Sequence, residues 1–242
     1  MQNEMITYQA DGLTMRSQLF FDPGAGVPSS GKRAGVLVFP EAFGLGEHAI
    51  SRARRLASLG YVALACDLHG NAYQATGLQE AIGLLEPLFA DPSRTRARAG
   101  GGLQALAARP EVDAARIGSI GFCFGGTMSL ELARSRAPIR AVVGFHSGLA
   151  SKSPATGTVD ARILVCIGAD DPMIPPDQRA GFEAEMRAAK ADWQMHLYGN
   201  TVHSFTNEQA AVANMPDAIR YNADADTRSW AAMQELFSET LR

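Results

Sequence analysis

Cysteine is scarce in this chain of 242 residues: Cys66, Cys123 and Cys166 are widely spaced and form no C-x-x-C pair. An odd, scattered set of thiols argues against a disulfide framework and against a structural zinc site. Charge is also sparse, at 19% against roughly 25% in soluble domains. Hydrophobic residues make up 46%, so there is material for a sizeable core and too little charge for disorder. A basic excess is missing, since 22 Lys and Arg stand against 25 Asp and Glu for a net charge of −3. Nucleic acid and anionic membranes are therefore not expected partners. No apolar run approaches the roughly 18 residues of a membrane span. Met1 to Tyr8 lacks the basic flank and apolar stretch of a secretory signal, which makes the cytoplasm the expected location. Internal repeats and low-complexity tracts are likewise missing.

What the chain does contain is an alternation of two patterns. Val36–Pro40, Tyr61–Cys66, Arg116–Phe122, Arg140–Phe145 and Arg162–Ile167 are short, continuous apolar runs, as expected of strands covered on both faces. Trp193–Tyr198 is a further strand candidate. Between these lie helix candidates at Glu47–Ser58, Gly125–Arg136 and Pro176–Ala189, and a stretch from Gly77 to Ala108 that Pro87 and Asp91-Pro92 are expected to split. Met5–Phe21 reads as an antiparallel hairpin turning at Asp11-Gly12. Thr227–Leu241 places Trp230, Met233, Phe237 and Leu241 at helical spacing. The fold class is α/β, a mostly parallel sheet with helices on both faces. The linker-like Pro23–Gly31 lies too near the start to divide the chain, so residues 1–242 are read as one domain.

The most informative segment is Gly121-Phe-Cys-Phe-Gly-Gly126, between a strand candidate and a helix candidate. It has the form of a nucleophile elbow with Cys123 in the place where serine is more common. The turn is so tight that residues two before and two after the nucleophile approach each other, which suits Gly121 and Gly125. An elbow also aims the sulfur near a helix N-terminus, whose partial positive charge favours thiolate. A thiolate needs a base, and the base an orienting carboxylate. Asp171 and His203 both follow strand candidates, at gaps of 48 and 32 residues. The order Cys, Asp, His is that of α/β-hydrolases, and strand carboxyl ends are where such sheets build sites. Asp170 competes with Asp171. His69 and His146 also follow strand ends and so stand at the border of the same pocket. His48 and His196 are expected on the surface, Cys66 and Cys166 inside strands as inert small hydrophobes.

Five ordered motifs together resemble the dienelactone hydrolase (carboxymethylenebutenolidase) family of α/β-hydrolases. They are Pro40-Glu-Ala-Phe-Gly-Leu-Gly46, Asp67-Leu-His-Gly70, the Cys123 elbow, Gly168-x-x-Asp171-x-x-Ile-Pro175 and His203-Ser-Phe205. The resemblance implies Cys123 as nucleophile, His203 as base and Asp171 as its orienter. It implies that Glu41 contacts the resting thiol and that the backbone N–H groups of Ala42 and Phe124 form the oxyanion hole.

The pattern departs from the family at the substrate clamp. Founding members hold a carboxylate with arginines, one about four residues past the histidine and one after the Asp-x-x-Gly motif. Here the first place is Asn207, and Asn71–Gln79 contains no arginine. Phe43, Tyr73, Phe124 and Met173 suggest an apolar mouth instead, so neutral or aryl esters and lactones join the dienelactone as expected substrates. Arg94, Arg96 and Arg98 read as a solvated helix face. The expected activity is cysteine-dependent ester or lactone hydrolysis on a small molecule, with no metal or organic cofactor. A thiol sensor on the same fold, or a thioesterase or acyl transferase, are the alternatives, and no residue pattern speaks to oligomeric state.

Overall fold

The computed structural model describes residues 1–25 and 31–242, so residues 26–30 of the linker-like stretch lie outside it. Eight strands form one sheet in the order β1-β2-β4-β3-β5-β6-β7-β8. They are β1 (Gln2–Ala10), β2 (Leu13–Phe21), β3 (Arg33–Phe39), β4 (Val62–Ala65), β5 (Val112–Phe122), β6 (Ala141–Phe145), β7 (Arg162–Gly168) and β8 (Trp193–Tyr198). The hairpin β1–β2 and the β2–β4 pair are antiparallel; every pair from β4 to β8 is parallel. Strand β5 starts four residues earlier than its apolar run, because its pairing with β3 shifts register between Ala34 and Gly35. A bulge of this kind hides the strand's first residues from a reading based on continuity.

Alternate side chains of the central strands serve two cores. Leu37 and Phe39 of β3 face one, and Val36 and Val38 face the other. The first is covered by α2 (Leu78–Ala90), α3 (Pro92–Ala107), α4 (Phe124–Arg134) and α5 (Pro176–Ala188), through Leu85, Leu103, Met128 and Phe182. The second is covered by α1 (Glu47–Ser58) and α6 (Ala223–Thr240), through Leu56, Trp230 and Phe237. Helix α6 begins four residues before the apolar periodicity because Asn222 caps it, accepting from the Ala225 N–H at 3.1 Å. Among the described residues no helix is long and apolar enough to cross a membrane.

Only one of the two prolines divides the Gly77–Ala108 stretch. The break falls at Asp91, whose extended backbone is what a following proline favours, and whose carboxylate caps α3 through the Ser93 N–H at 2.9 Å. Pro87 instead lies inside α2. Only Leu88, Phe89 and Ala90 of α2 follow it, so the bond it cannot donate falls in the helix's last turn.

Candidate active site

The elbow is built by steric necessity. Cys123 joins β5 to α4 with φ 54° and ψ −120°, a conformation that costs an L residue energy. A Cβ on Gly121 would lie 2.0 Å from the Gly125 carbonyl oxygen. One on Gly125 would lie 2.3 and 2.4 Å from the carbonyl oxygens of Phe39 and Pro40. Neither backbone can retreat, so both positions require glycine. The Cys123 N–H is shared between the Phe145 carbonyl at 3.0 Å and His146 Nδ1 at 3.1 Å. Phe124 is the first residue of α4, so its N–H has no acceptor within the helix.

His203 reaches the elbow from a loop pinned by backbone bonds to Ala218 and Arg220. Its Nδ1 lies 2.8 Å from Asp171 Oδ2, and both side chains are buried. The other Asp171 oxygen accepts the Met173 N–H at 2.9 Å. Asp170 is exposed and bonds through its backbone to Thr201, which leaves Asp171 as the partner of His203. Burial pushes the imidazole pKa down, but the Cys123 sulfur and the Asp171 carboxylate outweigh it and carry it up to about 10. His203 Nε2 is buried without a well-aligned hydrogen bond, and the thiol is the nucleophilic group beside it.

The Glu41 side chain is engaged by residues of the His203 loop. Its carboxylate accepts from Ser204 Oγ at 2.8 Å and from Asn207 Nδ2 at 2.6 Å, with His48 Nδ1 3.9 Å away. Two neutral donors therefore seat it beside the His203 loop. Ala42 follows, and its carbonyl oxygen is 2.8 Å from His69 Nε2. His69 thus anchors this loop, and burial holds its pKa down. Gly44, at φ +98°, passes so close to Tyr73 that a Cβ would lie 2.5 Å from the Tyr73 carbonyl oxygen. The Ala75 N–H closes the contact on the Phe43 carbonyl at 2.9 Å. Phe43, Tyr73 and Met173 are all exposed, and the Tyr73 hydroxyl donates to Glu80. One neighbour was not visible in the sequence: Phe89 of α2 packs edge-on against Phe124, with ring centroids 4.9 Å apart. Its spacing on an amphipathic helix says nothing about the elbow it meets.

Three expectations need correction. His146 does not border the pocket; it is fully buried behind the elbow, between Cys123 and Thr206. His48 is not a surface residue, because its ring packs on Phe122 at 4.5 Å and its Nε2 lies 3.2 Å from the Thr206 carbonyl. The arginines of α3 are not a solvated face. Arg94 and Arg98 both bond Asp11, Arg98 also donates to the Leu68 carbonyl, and Arg96 pairs with Glu131 at 2.7 Å. The hairpin turn and α4 supply the carboxylates, and spacing along α3 cannot reveal partners on distant elements.

Burial raises the Cys66 and Cys166 thiols, the latter to about 12, whereas Cys123 is only partly buried. Iodoacetamide is accordingly expected to alkylate Cys123 first, with the other two modified only on unfolding; equal labelling of all three would contradict this. Burial also holds His48 and His146 neutral. Their pKa values lie below the unfolded value near 6.5, so stability falls as pH drops below that point, by up to about 1.4 kcal/mol per pH unit for each. His146→Gln should flatten this slope, read as a smaller fall in Tm between pH 7 and pH 5.

The model of the dienelactone hydrolase family matches residues 21–241. A solved structure named m3DLH shares 44% identity, with a TM-score of 0.94 over 100% of this chain and 99% of that one. A dienelactone hydrolase-like promiscuous phosphotriesterase, P91, from metagenomic libraries shares 42% identity, with a TM-score of 0.93 over 100% of this chain and 99% of its own. A Yersinia pestis protein with a provisional carboxymethylenebutenolidase name is 26% identical over 84% of this chain and 77% of its own.

Proposed function

The chain belongs to the dienelactone hydrolase family and is a hydrolase of esters or lactones; we propose that it works through a covalent thioester on Cys123. The observation that carries this reading is the position of His203, with Asp171 on Nδ1 at 2.8 Å and the Cys123 sulfur near enough to raise the ring's pKa. Asp171 keeps a proton on Nδ1, so Nε2 is the face that takes the thiol proton. The thiolate attacks the carbonyl carbon, and the N–H groups of Ala42 and Phe124 receive the oxygen as it gains charge. The tetrahedral intermediate collapses, and the alcohol leaves with the proton held on His203. Water then gives a proton to His203 and attacks the thioester, which releases the acid and restores the thiol. Each oxyanion donor is worth roughly 3 to 4 kcal/mol of barrier.

The exposed apolar side chains of Phe43, Tyr73 and Met173 suit a neutral, partly apolar substrate, and no cofactor enters any step. The kinship to a promiscuous phosphotriesterase supports a second electrophile at the same site, an aryl phosphotriester whose phosphoryl oxygen would use the same two donors. Stopped-flow release of p-nitrophenol from p-nitrophenyl acetate tests the reading. A burst equal to the enzyme concentration is expected, and Cys123→Ala should lower turnover by about a thousandfold or more. No hydrolysis of any ester, with reversible oxidation of Cys123, would favour a thiol sensor instead.

A further inference from the structure

Behind the elbow, two strained residues face each other. Cys123 at φ 54° and His146 at φ 41° are both in a backbone region that L side chains rarely occupy, and the Cys123 N–H points at His146 Nδ1 from 3.1 Å. That bond fixes the imidazole tautomer: Nδ1 accepts, so Nε2 carries the hydrogen and donates to Thr206 Oγ1 at 2.8 Å. The ring is fully buried and stands edge-on to the His203 ring, with centroids 5.1 Å apart. Burial and the neighbouring His203 both disfavour a charge on it. One side chain thus touches the backbone of the thiol-bearing residue and the ring of the imidazole that serves it.

We infer that His146 is a positioning residue for the hydrolysis, a neutral acceptor that holds the Cys123 elbow in its strained conformation and backs the ring of His203. The inference rests on the reading of Cys123 as nucleophile. A buried histidine that only filled space would not need φ 41°, and the Phe145 carbonyl already accepts the same N–H at 3.0 Å. The strained backbone brings Nδ1 in as a second acceptor, which restricts the direction in which the amide, and with it the Cα–Sγ vector, can swing. Strain of this kind persists only where its surroundings hold it in place.

Two variants separate positioning from space-filling. His146→Leu fills the cavity without an acceptor, and His146→Gln restores an amide oxygen for the Cys123 N–H and a donor for Thr206. For p-nitrophenyl acetate, H146L should lower kcat by about tenfold or more with little change in KM, and H146Q should recover most of it, since a lost buried acceptor costs on this order. The rate of Cys123 alkylation by iodoacetamide should follow the same ranking. That readout needs no turnover, so it stays informative if Cys123→Ala shows that the nucleophile is another residue. If H146L does not fold, Thr206→Val takes its place, because it removes the Nε2–H acceptor and so one of the two bonds that hold the ring; the same direction of change in kcat is expected. Unchanged kcat and alkylation in H146L, or equal losses in H146L and H146Q at equal Tm, would overturn the inference.

Discussion

Asp171→Asn is expected to lower kcat by about three to four orders of magnitude, while Asp170→Asn leaves it within a few-fold. The difference lies in the proton on the imidazole. With Asp171 ionised, the 2.8 Å bond to Nδ1 requires N–H there, so Nε2 is free to accept the thiol proton. An asparagine turned to offer its NH2 group makes Nδ1 the acceptor and puts the hydrogen on Nε2, where it faces the sulfur and blocks proton transfer. Packing around a buried side chain changes little in this isosteric exchange, so Tm and KM should move far less than kcat. Asp170 is exposed and touches the loop only through its backbone, which the substitution preserves. Steady-state kinetics of the two variants on one neutral ester decide the matter, and the reverse ranking would reassign the orienting carboxylate.

A second large effect is expected from substrate charge. The family resemblance implies arginines that clamp a carboxylate; Asn207 stands at one of those places, and its amide donates to Glu41. Nor do Arg94, Arg96 and Arg98 supply a replacement, because Asp11, Glu131 and backbone carbonyls occupy them. An anionic substrate would therefore shed water near the carboxylate of Glu41 without any of these arginines to receive it. Each charge-assisted hydrogen bond is worth roughly 1.5 to 3 kcal/mol, so missing two costs on the order of a hundredfold or more in kcat/KM. A neutral methyl ester or aryl acetate should be hydrolysed better than an anionic dienelactone of similar size by about that factor. Asn207→Arg should narrow the gap, and high salt should narrow it less. Preference for the anion in the unmutated enzyme would contradict the account.

The parts of this molecule that could be read from the sequence are those set by local stereochemistry. The elbow is legible because Gly121 and Gly125 are required within five residues of each other, and the hairpin because Asp11-Gly12 suits a tight turn. The sheet is legible because strands buried on both faces are continuously apolar. What escaped reading depends on elements far apart in the chain. His146 follows a strand end just as a pocket residue would, and only the packing of β5 against β6 turns its ring under Cys123. Ser204 and Asn207 look like ordinary loop residues until Glu41, more than 160 residues earlier, is brought to them. Arg94, Arg96 and Arg98 are one charged residue type repeated along a helix, as on solvated surfaces, yet the hairpin and α4 bring carboxylates to them. Pro87 is the opposite case: a residue that usually breaks a helix lies within the last turn of α2.

The central claim is that the acyl group passes through the Cys123 sulfur. The most direct test is rapid acid quench of the enzyme mixed with p-nitrophenyl acetate, followed by intact mass measurement and peptide mapping. The account predicts one acetyl group per chain in the first turnover, located on the peptide carrying Cys123, lost at the steady-state rate and absent in Cys123→Ala. Full turnover with no acyl group on Cys123, or an acetyl group on another residue at the same rate, would contradict it.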